Sequence, residues 1–184
     1  MPGTISWHHQ ARRHPSAFLL AAQLLSLVLY PLLVDSESGR VLFGAFGLLF
    51  VILAVWVVNR SPAANWIAWA LALPAVVATS AAIVLGRPEL IVWSHLLESL
   101  LYFYAAASLI SYMLHDHRVT SDELFAAGAT FTLLAWAFAY AYFVCQAWYP
   151  QSFTGMVDPS RPRDWMELLF LSFTSLSGVG LGDV

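Results

Sequence analysis

The sequence predicts an all-α membrane protein, and three observations support this fold class. Of its 184 residues, 60% are hydrophobic and only 10% are charged, whereas a soluble domain usually carries about 25% charged residues. Five apolar stretches are long enough to cross a bilayer, and a sixth is too short. Because so few charges could not cover a solvated surface, we expect the chain to bury its apolar helices in lipid.

The five long stretches are predicted to be transmembrane helices. A helix rises about 1.5 Å per residue, and the hydrocarbon core is about 30 Å thick, so the first two stretches are barely long enough. The stretches are Ala17–Val34, Val41–Val58, Ala64–Leu85, Ile91–Leu114 and Leu124–Trp148. The sixth stretch, Leu168–Leu176, is too short to span and is typical of a re-entrant segment or of the start of a longer one.

The start of the chain shares some features with a signal peptide. Arg12 and Arg13 precede an apolar run, as in a secretory signal. The length of that run, and the lack of a small-residue cleavage site after it, favour a retained helix instead. Residues 1–16 are then an N-terminal tail, and the polar run Asp35–Arg40 is predicted to be a turn before the second helix.

Arginine positions give the expected orientation. The pair Arg12 and Arg13 favours a cytoplasmic N-terminus, whereas the arginines as a whole divide evenly between the two sides. Five crossings then place the residues after Trp148 outside the cell. The basic residues are all arginine, which is typical of a GC-rich bacterial genome. We therefore expect a multi-pass protein of a bacterial plasma membrane.

The end of the chain carries the most specific pattern. Ser172–Val184 reads S-F-T-S-L-S-G-V-G-L-G-D-V, with glycine at every second position from 178 to 182. Glycine adopts backbone conformations that are closed to other residues, so successive carbonyls can point the same way and replace the water shell of a cation. Asp164, three residues before Glu167, predicts a capped helix ahead of this run.

This run resembles the signature of the potassium channel superfamily, commonly S-F-T-T-L-T-T-V-G-Y-G-D-I. The resemblance is close from Phe170 to Val184 and implies a pore domain over residues 119–184. Its parts would be an outer helix (124–148), a turret (149–163), a pore helix (164–176) and a selectivity filter (177–183). Residues 17–118 would form a four-helix membrane domain in the position of a voltage sensor. The fourth helix lacks the sensor's repeated arginines.

The resemblance also implies the site residues. In this family, backbone carbonyls of the filter bind potassium, and the matching carbonyls are those of Gly178, Val179, Gly180 and Leu181. The whole implied filter is Ser177, Gly178, Val179, Gly180, Leu181, Gly182 and Asp183. Trp165, Thr174 and Ser175 are implied to support it from the pore helix. One filter per chain implies a homotetramer, because the family's filter needs four strands around one axis.

The run departs from the family pattern in three ways. Gly178 replaces a threonine whose carbonyl and hydroxyl line the innermost ion site, which should weaken that site and change selectivity. Leu181 replaces an aromatic residue and gives up the hydrogen bond of its hydroxyl. The family's inner helix should follow the filter, and the sequence ends at Val184. We therefore expect a truncated sequence from which the inner helix is missing.

The leading hypothesis is a channel subunit that passes potassium passively, with the lipid bilayer as its surroundings. One alternative is a non-selective cation channel, which Gly178 favours. Another is a non-conducting membrane subunit or scaffold, if the natural chain ends at Val184. We do not expect an enzyme, because the sequence shows no pairing of a nucleophile with a base. We expect no cofactor. We also expect no binding of nucleic acid, because the sequence has no basic run.

His95 and Glu98 are ionisable residues inside the fourth predicted span. They lie three residues apart and therefore on one helix face. One hypothesis is a pair that senses protons or a ligand. The alternative is a mutually satisfied polar pair that faces the bundle, helped by Ser94, Ser99 or Tyr102.

Two tryptophans, Trp69 and Trp136, lie deeper in their predicted spans than the tryptophans near the span ends do. We predict that both pack in the interior, because tryptophans that serve the membrane interface lie near span ends.

Overall fold

The computed structural model describes residues 15–33, 37–59, 64–115, 120–155 and 158–180. These ranges contain six α-helices and no β-strand, which confirms the all-α fold class. The helices are α1 (Pro15–Leu33), α2 (Glu37–Val58), α3 (Asn65–Leu85), α4 (Glu89–Met113), α5 (Ser121–Trp148) and α6 (Trp165–Ser177).

All five predicted long helices form, with small differences at their ends. Helix α1 begins at Pro15, so the last residues of the predicted tail are helical; proline is favourable in the first turn because its missing N–H has no partner there. Helix α2 begins at Glu37, so the predicted turn is wrong for Glu37–Arg40. Polar residues are tolerated at a helix start, where the first backbone N–H groups have no intrahelical partner.

Three of the described helices are long and apolar enough to cross a membrane. They are α3, α4 and α5, with 21, 25 and 28 residues. Helix α5 begins with a capping box, in which Thr120 accepts a hydrogen bond from the backbone N–H of Glu123 and Glu123 accepts one from that of Thr120. Both exchanges satisfy N–H groups that a helix start leaves without partners.

Contacts between helix ends define two ends of the bundle. Ser16 donates hydrogen bonds from its backbone N–H (3.3 Å) and hydroxyl (3.1 Å) to the carboxylate of Asp122. Helices α1 and α5 therefore begin at the same end, which we call the Asp122 end. The rings of Trp93 and Trp148 are 5.8 Å apart, so α4 begins where α5 ends. We call this the Trp148 end.

Helix α5 occupies the centre of the bundle, where it packs against α1, α4 and α6. Its buried face is rich in alanine, and small residues let neighbouring helices approach closely. Gly128 acts in the same way, because a Cβ there would lie 3.0 Å from Cδ2 of Leu20 on α1. The central position of α5 allows one helix to touch both the first and the last elements of the chain.

The buried core extends across the boundary predicted between residues 118 and 119. Its members include Leu19 of α1, Tyr102 of α4, Trp136 of α5 and Leu169 of α6. The four N-terminal helices and the α5–α6 pair thus share one core.

Candidate functional site

Helix α6 carries the predicted pore-helix sequence, and its N-terminus is capped as predicted. The side chain of Asp164 accepts a hydrogen bond from the backbone N–H of Glu167 (2.9 Å). The carboxylate of Glu167 in turn accepts one from the backbone N–H of Asp164 (2.7 Å). This capping box satisfies two of the N–H groups at the helix start and fixes where α6 begins.

Helix α6 lies antiparallel to α5. Trp165 packs against Trp136 with ring centroids 4.8 Å apart, and Phe173, two turns later, packs against Phe131 at 5.7 Å. The buried residues of α6 are Leu168, Leu169, Leu171 and Ser172. Helix α6 therefore runs from the second half of α5 towards its first half, away from the Trp148 end.

Trp165 is one of an aromatic group that joins three helices. Its ring is 5.6 Å from that of Tyr30 on α1 and 6.0 Å from that of Tyr140 on α5. The sequence implied that Trp165 supports the pore helix. The structure shows that Trp165 joins the start of α6 to α1 and α5.

Helix α6 ends one residue later than the predicted pore helix. Ser177 is the last residue of α6, and its hydroxyl donates to the carbonyl of Thr174 (3.3 Å). The helix ends at Gly178, which has a left-handed backbone (φ 68°, ψ 15°) and donates its N–H to the carbonyl of Ser175 (3.3 Å). A left-handed residue is a common helix terminator and favours glycine, which explains why the helix includes Ser177.

The segment Gly178–Gly180, which follows α6, is exposed in the structure. Val179 is 81% exposed, and no heavy atom would lie within 4 Å of a Cβ at Gly178 or Gly180. Gly180 has φ 105°, a value that other residues rarely adopt. The remaining predicted filter residues, Leu181, Gly182 and Asp183, lie outside the described residues.

The hydroxyls implied to support the filter lie on α6 itself. Thr174 donates to the carbonyl of Leu171 (3.0 Å), and Ser175 is exposed. Within the described residues, no three side chains of histidine, cysteine, aspartate or glutamate lie together as a metal site would need.

Sequence reasoning missed a polar connection between the ends of α5 and α6. The side-chain amide of Gln146 donates to the carbonyl of Arg163 (3.0 Å) and accepts from its backbone N–H (2.8 Å). Gln146 is the one amide side chain in the second half of an otherwise apolar helix, and that position is the signal that could have identified it. The paired hydrogen bonds fix the residue that precedes the capping box.

The side chain of Arg163 is buried beneath the segment between α5 and α6. It is only 3% exposed, and its Nη1 lies 3.6 Å from the carboxylate of Glu167. Its guanidinium also donates to the backbone carbonyls of Arg161 and Asp158. Gly155 leaves the space for it, because a Cβ there would overlap Nη1 of Arg163.

Asp158 adds negative charge to the same segment. Hydrogen bonds from Ser160, first from its hydroxyl at 2.9 Å and then from its backbone N–H, lower the pKa of the Asp158 carboxyl. A lowered pKa means that this carboxylate stays ionised to a lower pH than an ordinary aspartate.

His95 and Glu98 are in contact, as their spacing predicted. Nδ1 of His95 is 3.1 Å from the carboxylate of Glu98, which also accepts a hydrogen bond from Ser94 (3.2 Å). Of the three residues that the sequence offered as alternatives, Ser94 makes this contact, whereas the hydroxyl of Ser99 donates to the carbonyl of Ala137. The hydroxyl of Tyr102 has no hydrogen-bond partner in the described part of the chain. These contacts are those of a mutually satisfied pair.

Replacing Glu98 by alanine should destabilise the protein. Loss of the carboxylate leaves the ring nitrogen of His95 and the hydroxyl of Ser94 without it as a partner, at a cost of about 1–3 kcal/mol. Glu98→Gln should cost less, because the amide keeps an acceptor. Unfolding of the purified protein in mixed detergent micelles would measure both. Glu89→Ala, at an exposed position in the first turn of α4, is the control, and an equal loss there would contradict the role of Glu98.

Comparison of the chain with protein-family models, curated proteins and solved structures found no match. The functional proposal therefore depends on the residues and the geometry described above.

Proposed function

We propose that this protein is a subunit of a tetrameric membrane channel that passes potassium ions. The observation that carries the proposal is the end of α6. A capped helix of 13 residues is followed at once by Gly178-Val179-Gly180, with left-handed or otherwise glycine-specific backbone at both glycines. At about 1.5 Å per residue this helix covers about 20 Å, too little to cross a bilayer.

The direction of α6 supports a re-entrant pore helix. It starts beside the second half of α5, at Trp136 and Tyr140, and runs back towards Phe131. Its C-terminal end, which carries the partial negative charge of a helix dipole, is therefore directed away from the Trp148 end and towards the first half of α5. In that position the end of the helix would attract a cation to the carbonyls that follow it.

The five long helices are proposed to be five membrane crossings. Helices α1 and α2 would cross in addition to α3, α4 and α5, with the Asp122 end in the cytoplasm and the Trp148 end outside. This direction agrees with Arg12 and Arg13 at the N-terminus. It delivers the segment before α6 to the outer surface, where a re-entrant pore helix of this kind must begin.

Assembly from four copies is supported by what surrounds the proposed filter. Val179 is almost fully exposed, and the part of the chain that the structure describes offers nothing beside Gly178 or Gly180. Phe170 of α6 and Leu124 of α5 are also 51% and 68% exposed. Carbonyls that coordinate a cation need several oxygens around it, and in this proposal the other three copies supply them.

The test is single-channel recording of the purified full-length protein in planar bilayers, with potassium on one side and sodium on the other. A reversal potential close to the equilibrium potential of potassium is expected. A reversal potential near zero would replace this proposal with the non-selective cation channel. Absence of current from protein that is folded and tetrameric would refute a channel and leave a membrane scaffold.

A second candidate, the weakly selective cation channel, is favoured by Gly178. The family has threonine at the matching position, and here the residue offers no hydroxyl to an ion. Under this candidate, Gly178→Thr should raise the preference for potassium over sodium relative to Gly178→Val. Valine is the matched control, because both residues are β-branched and meet the same positive φ of 68°, and only threonine adds a hydroxyl. Equal reversal potentials in the two variants would argue against the candidate.

A further inference from the structure

Arg163 is a charged residue in a position where charges are rarely found. Its side chain is only 3% exposed, and arginine is seldom fully buried unless it is paired. The backbone of Arg163 contacts one part of the chain, α5, and its guanidinium contacts two others, the segment before α6 and α6 itself. Removing a guanidinium from water is costly, so the contacts that hold it there must be made together and in a fixed geometry.

The first part is α5, which Arg163 reaches through its backbone. Both its N–H and its carbonyl are hydrogen-bonded to the amide of Gln146. The second part is the segment before α6, whose carbonyls at Asp158 and Arg161 accept from the guanidinium. Each of these hydrogen bonds is directional, which restricts rotation as well as distance.

The third part is α6, through the carboxylate of Glu167. That carboxylate lies 3.6 Å from Nη1 of Arg163 and also accepts the backbone N–H of Asp164 in the capping box. The apolar contacts of α6 with α5 limit its distance, but apolar contacts are not directional. The polar connection at Arg163 therefore adds a directional restraint to the packing of α6 against α5.

A small change in the tilt of α6 has a large effect at the other end of the helix. The helix has 13 residues, so Gly178 is about 20 Å from the start, and a tilt of about 5° there would move Gly178 by about 2 Å. Groups that bind a ligand specifically must be held to within about 0.5 Å. A loose connection at Arg163 would thus disturb carbonyls that it does not touch.

We propose that Arg163 is the positioning residue of the ion pathway: through Gln146, the preceding carbonyls and Glu167 it fixes α6, and thereby the Gly178–Gly180 carbonyls. The inference rests on the proposed channel function. It assigns to a residue outside the filter a specific influence on which ions pass and how fast. Arg161 shares the partner Glu167 but is 45% exposed, so it lacks this role.

The experiment compares Arg163→Lys and Arg163→Gln with Arg161→Gln in the full-length protein. Lysine keeps the charge but loses the planar fork of donors, so it tests geometry apart from charge. Bilayer recording between potassium and sodium gives the permeability ratio and the single-channel conductance. Hydrogen–deuterium exchange of the α6 backbone reports the tilt and looseness of the helix independently of current.

For both Arg163 variants we expect a several-fold change in permeability ratio or conductance and faster exchange in α6, with Arg161→Gln like the wild type. If Arg163→Gln does not assemble, Arg163→Lys and the neutral double variant Arg163→Gln with Glu167→Gln decide in the same way. Arg163 variants that conduct like the wild type would overturn this inference alone. A wild-type protein without current would overturn the proposed function, and this inference with it.

Discussion

Replacing Gly180 by alanine should reduce potassium current to less than about a hundredth of the wild-type value. Gly180 has φ 105°, a conformation that costs a residue with a Cβ about 1–3 kcal/mol. In the proposed tetramer this cost recurs in each of four copies, and every 1.4 kcal/mol is about a tenfold change in population. The space around Gly180 is open, so the effect is one of backbone conformation and not of collision. Bilayer recording of equal amounts of tetramer would measure it.

Gly47→Ala is the matched control for Gly180→Ala. Gly47 lies within α2, has free space for a Cβ and has no positive φ. Alanine is preferred to glycine inside a helix by about 0.5–1 kcal/mol, so this variant should conduct like the wild type and be at least as stable. Full current from Gly180→Ala would contradict the proposed role of the Gly178–Gly180 segment.

Replacing Trp136 by alanine should produce the largest loss of stability. Trp136 is 2% exposed and lies between Phe50 (4.6 Å) and Trp165 (4.8 Å). Its removal leaves a cavity where α2, α5 and α6 meet, and large-to-small changes of this kind cost about 3–5 kcal/mol. In lipid this cost comes mainly from lost packing contacts. Unfolding by a denaturing detergent in mixed micelles would measure the loss.

Trp69→Ala is the control for Trp136→Ala. Trp69 is 48% exposed on α3, beside an apolar groove between α2 and α3. Its removal should lower the free energy of unfolding by less than about 1 kcal/mol, as for other exposed positions. Similar losses for the two variants would mean that Trp136 does not lie in the shared core.

These two tryptophans also show that the sequence of an apolar helix does not reveal which of its faces is buried. Both lie deep in apolar spans and both were predicted to pack, but only Trp136 does, and the prediction for Trp69 is wrong. A soluble helix shows its buried face by the contrast between apolar and polar residues. A helix in lipid is apolar all round, so its sequence does not distinguish the face that meets protein from the face that meets lipid.

In the candidate site, too, some features could be predicted from the sequence and others could not. Features that depend on near neighbours in the sequence were predicted correctly: the capping box of Asp164 with Glu167 and the contact of His95 with Glu98. The end of α6 was predicted one residue too early, because the helix continues through Ser177 and ends only at the left-handed residue Gly178. No local pattern indicated that Gln146 and Arg163, 17 residues apart, would meet.

The sequence by itself determined that this chain forms long apolar helices, where they lie, and that a short capped helix precedes alternating glycines. These properties follow from composition, from helix-stop residues and from interactions within one or two turns. Only the tertiary structure decided that α5 is central, that Trp136 is buried and that Arg163 joins α5 to α6. Those features depend on which faces of different helices meet, and that is set by packing among all of them at once.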